Sequence, residues 1–340
     1  MKNYYKGKKI LVTGGVGSIG NQLVRKLLAL DPEIIRILDN NETGLFDLEQ
    51  ELKSDKLRIL IGDIRDKERL IMAMDDIDIV FHTSALKHVP ICEFNPFDAV
   101  KTNVLGTQNV LEAALINEVE KVINVSTDKA VNPTNVMGAT KLLAERLTIS
   151  ANHYKGNKRT VFSSVRFGNV LNSRGSVIPV FKKQIETGGP VTVTDKDMTR
   201  FFMDIPAAVN LILKAGELAQ GREVFILKMP ALKIIDLAEV MIMDLSRVHG
   251  HDPEKIRINY IGTRCGEKLF EELMTESEAA RALDRNDMYI VLPETLPFEE
   301  HFDHPLAKKF RKSTIAQFSS HNTRMITKKE ISALLRNFSI

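Results

Sequence analysis

Short runs of apolar residues recur through the first half of the chain, and amphipathic stretches separate them. The runs are rich in isoleucine and valine and lack strict alternation of apolar and polar positions, which is typical of strands buried on both faces. They predict strands at residues 9–14, 34–39, 57–63, 77–83, 121–127 and 160–168. Helical patterns lie between them, for example at 19–30 and 96–117. This alternation predicts an α/β protein with a doubly wound parallel sheet.

The strand–helix alternation stops after residue 168. Residues 172–203 mix glycine, proline and short apolar pieces, which indicates loops with small elements. An apolar run at 223–229 predicts a later strand that returns to the main sheet. We therefore expect one domain at 1–168 and a smaller mixed α/β C-terminal lobe at 169–340, which includes a C-terminal tail.

The composition of the 340-residue chain allows a sizeable core, since 44% of its residues are hydrophobic. Basic and acidic residues are interleaved and the net charge is only +3, so we expect no nucleic-acid partner. Cys92 and Cys265 lie far apart without metal-ligand spacing, which favours reduced thiols and no bound metal. We find neither a signal-peptide pattern nor a run of about 20 apolar residues, so we expect a cytoplasmic protein without membrane insertion.

The segment TGGVGSIG, at residues 13–20, follows a predicted strand and opens a predicted helix. Glycines at this spacing permit a tight turn, close approach of a pyrophosphate and close packing of helix on strand, while the helix N-terminus presents unpaired N–H groups. The context predicts a Rossmann-type dinucleotide site, and a glycine turn without a ligand is the alternative. The residues expected at the cofactor are Thr13, Gly14, Gly17, Ser18, Ile19 and Gly20.

Two further strand ends carry acidic residues. Asp39 ends the second predicted strand, where a carboxylate can bind both hydroxyls of the adenosine ribose. Because a 2′-phosphate would meet this carboxylate, Asp39 favours NAD, while Asn40 and Asn41 keep NADP possible. Asp63 and Ile64 follow the third strand and are expected beside the adenine, although either could be an ordinary strand-end residue.

The segment STDKAVNPTNVMGATK, at residues 126–141, carries the candidate chemistry. Enzymes that oxidise an alcohol with a nicotinamide cofactor commonly place tyrosine and lysine at i and i+4 on one helix face, so that the lysine lowers the tyrosine pKa. Lys141 occupies the lysine position, but Met137 stands where the tyrosine is expected, and a thioether cannot take a proton. Other groups able to move protons are Thr127, Asp128 and Lys129, for which a solvated polar loop is the alternative.

Seven motifs together resemble the extended short-chain dehydrogenase/reductase superfamily, and within it the nucleotide-sugar 4,6-dehydratases of polysaccharide biosynthesis. They are TGGVGSIG, FHTSALKHVPICEFNP, KTNVLGTQNV, VSTDKAVNPTNVMGATK, SVRFGNVLNSRGSVIPVF, TRFFM and GEKLFEEL. Many members of that family have tyrosine at the position of Met137, and the chain resembles a subset that has methionine there.

The resemblance implies an NAD-dependent UDP-N-acetylglucosamine 4,6-dehydratase of surface-glycan biosynthesis, such as that of pseudaminic-acid-type sugars. Such an enzyme oxidises C4, removes water across C5 and C6, and returns the hydride to C6, with retention or inversion at C5. The resemblance implies that Lys129 is the base at C5, Asp128 the acid at C6, and Thr127 a hydrogen-bond partner of the 4-oxygen. Lys129 would then need a lowered pKa, and Asp128 would need to be protonated for part of the cycle.

The resemblance also implies contacts outside this segment. At the cofactor it implies Ala85 and Asn103, the latter with a positional role, and it makes residues 1–168 the NAD(P)-binding domain. At the UDP-sugar it implies Lys87, Asn169, Arg200, Arg264 and Glu267, for which surface ion pairs are the alternative. The protein is expected to form a homo-oligomer.

Other functions stay open at this stage. Because Met137 departs from the pattern at the redox step, the protein could form or process a 5,6-unsaturated UDP-sugar. A non-catalytic NAD-binding sensor would also tolerate the loss of tyrosine. A simple 4-epimerase is less favoured, since it does not need the Asp128–Lys129 pair.

Overall fold

The computed structural model describes residues 1–171, 176–264, 266–294 and 304–337. Cys265 and residues 172–175 of the motif SVRFGNVLNSRGSVIPVF lie outside these ranges. The strands, in chain order, are β1 (Lys9–Thr13), β2 (Ile34–Asp39), β3 (Leu57–Ile61), β4 (Ile79–His82), β5 (Lys121–Thr127), β6 (Val161–Phe167), β7 (Asn169–Val170), β8 (Val191–Val193), β9 (Thr199–Met203), β10 (Val224–Leu227), β11 (Ala231–Lys233), β12 (Ile258–Tyr260), β13 (Glu272–Met274), β14 (Ala282–Arg285), β15 (Met288–Val291), β16 (Arg311–Lys312) and β17 (Phe318–Ser319).

The helices lie mainly between these strands. In chain order they are α1 (Lys2–Tyr5), α2 (Ser18–Leu28), α3 (Glu42–Leu52), α4 (Lys67–Met74), α5 (Val89–Phe94), α6 (Pro96–Ala99), α7 (Gly106–Ile116), α8 (Val136–Tyr154), α9 (Val177–Glu186), α10 (Ile205–Leu218), α11 (Ile234–Leu245), α12 (Glu276–Ala279) and α13 (Lys328–Asn337). A π-helical turn, Val100–Leu105, joins α6 to α7, so the stretch predicted as one helix at 96–117 is three pieces. None of the helices in the described ranges is long and apolar enough to cross a membrane.

Within the described residues, ten strands form one sheet in the order β16-β14-β15-β10-β6-β5-β4-β1-β2-β3. The seven neighbouring strands β10, β6, β5, β4, β1, β2 and β3 run parallel. This confirms the predicted doubly wound parallel sheet. Strand β10, from the segment predicted to return, pairs with β6. Beyond it, β15, β14 and β16 are antiparallel and were not predicted, because such short strands carry too little periodicity.

Three large apolar clusters form most of the core within the described residues. Successive strand residues face opposite sides of the sheet, so Ile10 and Val12 pack toward α2 and α10 while Leu11 packs toward α4 and α7. A third cluster joins α9, α11 and α13 in a mixed α/β lobe that contains the small sheets β11-β9-β7 and β12-β8. The division of the chain into two domains near residue 168 remains a prediction.

The order of the parallel strands determines where a site can form. From β1 the chain first forms β2 and β3 on one side of that strand. It then crosses to the other side, where it forms β4, β5 and β6 in turn. Sheets of this kind bind ligands in the crevice beyond the carboxyl ends of the strands, where the strand order reverses. The glycine turn after β1 and the segment after β5 both lie at this edge.

Candidate active site

The glycine turn after β1 needs glycine at specific positions. Gly14 has φ +71°, and a Cβ there would lie 2.7 Å from the backbone nitrogen of Ser84. A Cβ at Gly20 would lie 2.2 Å from the carbonyl oxygen of Gly14. The Asp39 carboxylate accepts a hydrogen bond of 3.2 Å from the backbone N–H of Val16. The turn therefore folds tightly into the N-terminus of α2, with Asp39 beside it, in the arrangement that a dinucleotide site requires.

Three residues predicted to contact the cofactor have buried side chains. The Thr13 hydroxyl lies 2.8 Å from Nδ1 of His82. Asn103 donates a 3.0 Å hydrogen bond to the Thr140 hydroxyl and so ties the π-helical turn to α8. Ile64 is buried among apolar residues below the sheet edge. Interior partners engage these side chains, which position the surrounding backbone, as expected for Asn103. Contact of these residues with the cofactor stays a prediction.

Other predicted contacts lie along the same edge. Asp63 forms an ion pair of 2.6 Å with Arg65, and this hydrogen-bonded guanidinium lowers the pKa of the carboxyl. Ala85 is half-buried after β4, and Lys87 is exposed in the same segment.

The proposed acid–base residues meet at the end of β5. Thr127 is the last residue of that strand, and its hydroxyl donates a 2.8 Å hydrogen bond to Oδ1 of Asp128. The Nζ of Lys129 lies 3.0 Å from the same oxygen and 3.2 Å from Oδ1 of Asn169, which follows the neighbouring strand β6. Asp128 is fully buried, whereas the Lys129 side chain is 23% exposed, so the amine is the accessible member of the pair.

Sequence reasoning missed Glu271 in this cluster. Its Oε1 lies 3.5 Å from the Lys129 Nζ, and the residue is buried. Glu271 belongs to the motif GEKLFEEL, which was a signal for this region, but the motif does not reveal which of its charged residues turns toward Lys129. The Lys129 ammonium thus lies among oxygens from Asp128, Asn169 and Glu271, which matches its three N–H donors.

The protonation of the two active-site lysines differs from expectation. Burial alone would lower the pKa of Lys129, but the carboxylates of Asp128 and Glu271 outweigh it and raise that pKa. The expectation of a lowered pKa at Lys129 is therefore wrong for this arrangement. Burial instead lowers the pKa of Lys141 to about 8, against the opposing charge of Glu145. Asp128 lies beside the Thr127 hydroxyl and the Lys129 ammonium.

Arg200, which was predicted to bind the diphosphate, lies beside this cluster. Its buried guanidinium donates hydrogen bonds of 2.8 Å to the carbonyl oxygens of Thr199 and Lys268. It also lies 3.6 Å from Glu267 and 3.9 Å from Glu271. Arg200 thus holds the 267–271 segment beside the cluster, and its role as a diphosphate ligand stays a prediction. Arg264, at the start of this segment, is exposed.

Met137 lies on α8 one turn before Lys141 and is buried with Cys92 and Ala99. This position is an ordinary packing site that supplies no proton acceptor. The candidate acid–base groups are therefore those at the end of β5 and in the 267–271 segment.

The sequence and the fold of this chain are similar to those of known proteins. The signature of a family described as polysaccharide biosynthesis protein matches residues 10–293. The chain belongs to this family. This family member is 42% identical over 291 residues to the UDP-N-acetylglucosamine 4,6-dehydratase (inverting) of Campylobacter jejuni, covering 85% of this chain and 84% of that enzyme. It is 40% identical over 334 residues to a UDP-glucose 4-epimerase of Rickettsia canadensis, covering 96% and 95% of the two chains.

A solved structure matches the family member over nearly its whole length. The X-ray structure of Pen from Bacillus thuringiensis superposes with a TM-score of 0.91 at 43% sequence identity, covering 99% of each chain. Some relatives are longer: the chain spans 46% and 47% of two curated proteins to which it is 50% and 45% identical.

Proposed function

We propose that the protein is an NAD-dependent UDP-N-acetylglucosamine 4,6-dehydratase in the biosynthesis of a surface-glycan sugar. The observation that carries this proposal is the hydrogen-bonded cluster of Thr127, Asp128 and Lys129 at the carboxyl end of β5. A dehydratase needs an acid and a base a few ångströms apart, and a simple epimerase does not. The dehydratase relative at 42% identity supports the same reading.

The residues present fit a dinucleotide cofactor. The glycine turn leaves no room for a Cβ at Gly14 or Gly20, and the N-terminus of α2 lies directly after it. Asp39 would bind the adenosine ribose, and its carboxylate favours NAD over NADP. When bound, NAD would accept the hydride from C4 and later return it at C6.

The hydrogen bond between Thr127 and Asp128 gives the 4-hydroxyl proton a route. Thr127 accepts that proton as C4 is oxidised and passes its own proton to Oδ1 of Asp128, 2.8 Å away. This relay replaces the tyrosine that is missing at Met137. It also leaves Asp128 protonated, which is the state needed to release the C6 hydroxyl as water. Because Asp128 is buried, its carboxyl must turn from Thr127 toward the sugar for that step.

Lys129 removes the C5 proton in this proposal. Its side chain is 23% exposed whereas that of Asp128 is fully buried, and the 4-keto group formed at C4 makes the C5 proton acidic. When the hydride returns to C6, the same amine gives a proton back to C5. The face on which it does so decides between retention and inversion.

A second candidate is the release or processing of a 5,6-unsaturated UDP-sugar. The observation that favours it is the burial of Met137, since a site without the usual tyrosine is altered at the redox step. This function uses the same cluster but omits the return of the hydride.

Incubation with UDP-N-acetylglucosamine and NAD in heavy water tests the proposal. We expect mass spectrometry to show loss of one water and proton NMR to show deuterium at C5. A persistent vinylic signal would favour the unsaturated product. Inversion at C4 without loss of water would indicate an epimerase, and an unchanged sugar would refute UDP-N-acetylglucosamine as the substrate.

Replacing Met137 with tyrosine should leave turnover intact or raise it, because the phenol restores a base one turn before Lys141. The site is packed, so we expect a loss of about 1–3 kcal/mol in unfolding free energy from overpacking. Met137→Phe is the matched control, since it adds the ring without the hydroxyl. Thermal denaturation and steady-state rates would be compared, and an inactive Met137→Tyr beside an active Met137→Phe would contradict the idea of a vacated base position.

Self-association and a cytoplasmic location also remain predictions. The side chains of Phe94 and Phe97, 87% and 80% exposed on α5 and α6, favour self-association because apolar surface of this kind commonly marks contacts between proteins.

A further inference from the structure

Glu271 is a buried carboxylate beside Lys129 to which the proposed mechanism gives no role. Its Oε1 lies 3.5 Å from Nζ of Lys129 and 3.9 Å from Nε of Arg200. Its Oε2 is buried and has no hydrogen-bond partner among the residues that the structure describes. A buried carboxylate oxygen without a partner is costly, so its presence calls for a functional reason.

The backbone around Glu271 holds this carboxylate in place. Its N–H donates a 2.9 Å hydrogen bond to the Ser320 hydroxyl, and β13 begins at the next residue. The preceding residues are fixed by Arg200, which binds the carbonyl oxygens of Lys268 and Leu269. The side chain is therefore directed at Lys129 from a well-anchored segment.

The proposed chemistry requires Lys129 to lose a proton before it can act as a base. Two carboxylates lie within reach of its Nζ, namely Asp128 and Glu271. Oδ1 of Asp128 is already bonded to Thr127 and receives the 4-hydroxyl proton in the proposed mechanism. Glu271 is then the acceptor that remains for the proton of Lys129.

We propose that Glu271 accepts a proton from Lys129 during turnover and thereby frees the amine that attacks the C5 proton. This inference rests on the proposed dehydratase function. The Nζ–H bond breaks, an Oε–H bond forms, and the electron pair stays on nitrogen, so an ion pair becomes two neutral groups. The transfer reverses after Lys129 has returned a proton to C5. Glu271 acts through Lys129 and is therefore a positioning residue.

The surroundings of Glu271 favour its neutral form. Burial raises its pKa, and the charge of Asp128 acts in the same direction. Lys129, Arg200 and Lys268 oppose this rise without cancelling it. Transfer of one proton from Lys129 therefore moves the cluster toward a charge distribution that its burial favours.

Glu271→Gln in the full chain should move two measurements in opposite directions. The amide removes the negative charge that lies beside Lys129 and helps to keep its amine protonated. Competitive acetylation of Lys129, measured by mass spectrometry over a range of pH, should therefore be faster near neutral pH. The amide cannot take the proton, so C5 exchange with heavy water should slow by about 10²-fold, the lower end of the usual range for a lost proton-transfer group. If Glu271 only supported the fold, its replacement would not make acetylation of Lys129 faster while it makes C5 exchange slower.

Glu272→Gln is the matched control, because Glu272 is adjacent and pairs with Lys268 at 3.9 Å rather than with Lys129. It should leave the labelling of Lys129 unchanged. Unaltered labelling in Glu271→Gln would overturn the proposal, and so would faster labelling with undiminished exchange. If the unaltered protein shows no C5 exchange, the proposed function fails, and the transfer of a proton to Glu271 during turnover fails with it. The labelling result would still decide whether Glu271 controls the charge of Lys129.

Discussion

Replacing Lys129 with methionine should slow C5 proton exchange by about 10²–10⁴-fold, the contribution expected of a positioned general base. The reason is geometric, because the partly exposed Nζ of Lys129 lies 3.0 Å from Oδ1 of Asp128 and 3.2 Å from Oδ1 of Asn169. In the proposed mechanism oxidation at C4 uses Thr127 and Asp128, so a single turnover should still form the 4-keto sugar. The measurements are deuterium incorporation at C5 by NMR and absorbance of the reduced cofactor in a stopped-flow experiment.

Lys129→Arg separates the base from the cation. A guanidinium keeps the positive charge that Asp128 and Glu271 face, but it stays protonated at any accessible pH. We therefore expect Lys129→Arg to fold normally and to lack C5 exchange as completely as Lys129→Met. Substantial exchange in Lys129→Arg would mean that residue 129 supplies charge alone and that the base is elsewhere.

Lys155→Met controls for the general effect of removing a half-buried lysine. Lys155 donates a 3.0 Å hydrogen bond to the carbonyl oxygen of Thr160, beyond the C-terminal end of α8. Its loss should leave exchange at C5 within a few-fold of the unaltered protein. A comparable loss in Lys155→Met would contradict a specific role for Lys129.

Local sequence patterns predicted the elements and the edge of the sheet where the site lies. The turn at Gly14 and Gly20 could be predicted because strand, glycine spacing and helix are contiguous in the chain. Thr127, Asp128 and Lys129 could be placed together for the same reason, since they are consecutive at the end of one strand. Asn169 was expected at the UDP-sugar from the family resemblance alone.

Contacts between distant segments could not be predicted in this way. Glu271 reaches Lys129 across 142 positions of the chain, and the direction of its side chain depends on how β13 and Arg200 fix the backbone. The raised pKa of Lys129 follows from that contact, because burial alone would lower it. A sequence pattern also does not reveal that the side chain of Thr13 contacts His82 or that the side chain of Asn103 contacts Thr140.

The segment that carries Glu271 is joined to the main sheet by a buried ion cluster. Arg166, on β6, donates hydrogen bonds of 3.0 Å to both oxygens of Glu278 and one of 2.8 Å to the carbonyl oxygen of Leu273. The same guanidinium pairs with Glu145 of α8. Arg166 thus connects the strand beside the catalytic cluster, the helix that carries Lys141, and the residues that follow Glu271.

Arg166→Met should lower the unfolding free energy by about 3–5 kcal/mol, the usual cost of leaving a buried charge without its partner. Chemical denaturation at neutral pH would measure the loss. Arg166→Met combined with Glu145→Gln and Glu278→Gln is the matched control, because the amides leave no buried charge uncompensated. We expect the triple variant to recover part of the loss. Equal losses in both variants would attribute the effect to the missing side-chain volume instead.

The same cluster predicts a specific dependence on pH. Burial would raise the pKa of Glu278, but Arg166 outweighs it and lowers that pKa to about 2. Because the folded pKa lies below the unfolded value, this stabilisation is complete above about pH 4.5 and is lost as the pH falls toward 2. Arg166→Met removes the strongest influence that lowers this pKa and leaves the weaker ones of the Thr275 N–H and Arg281, so the pKa of Glu278 should rise. The deficit relative to the unaltered protein should then shrink as the pH falls from 7 to 5. A deficit that stays constant over this range would show that the carboxylates of the cluster do not depend on Arg166 for their charge.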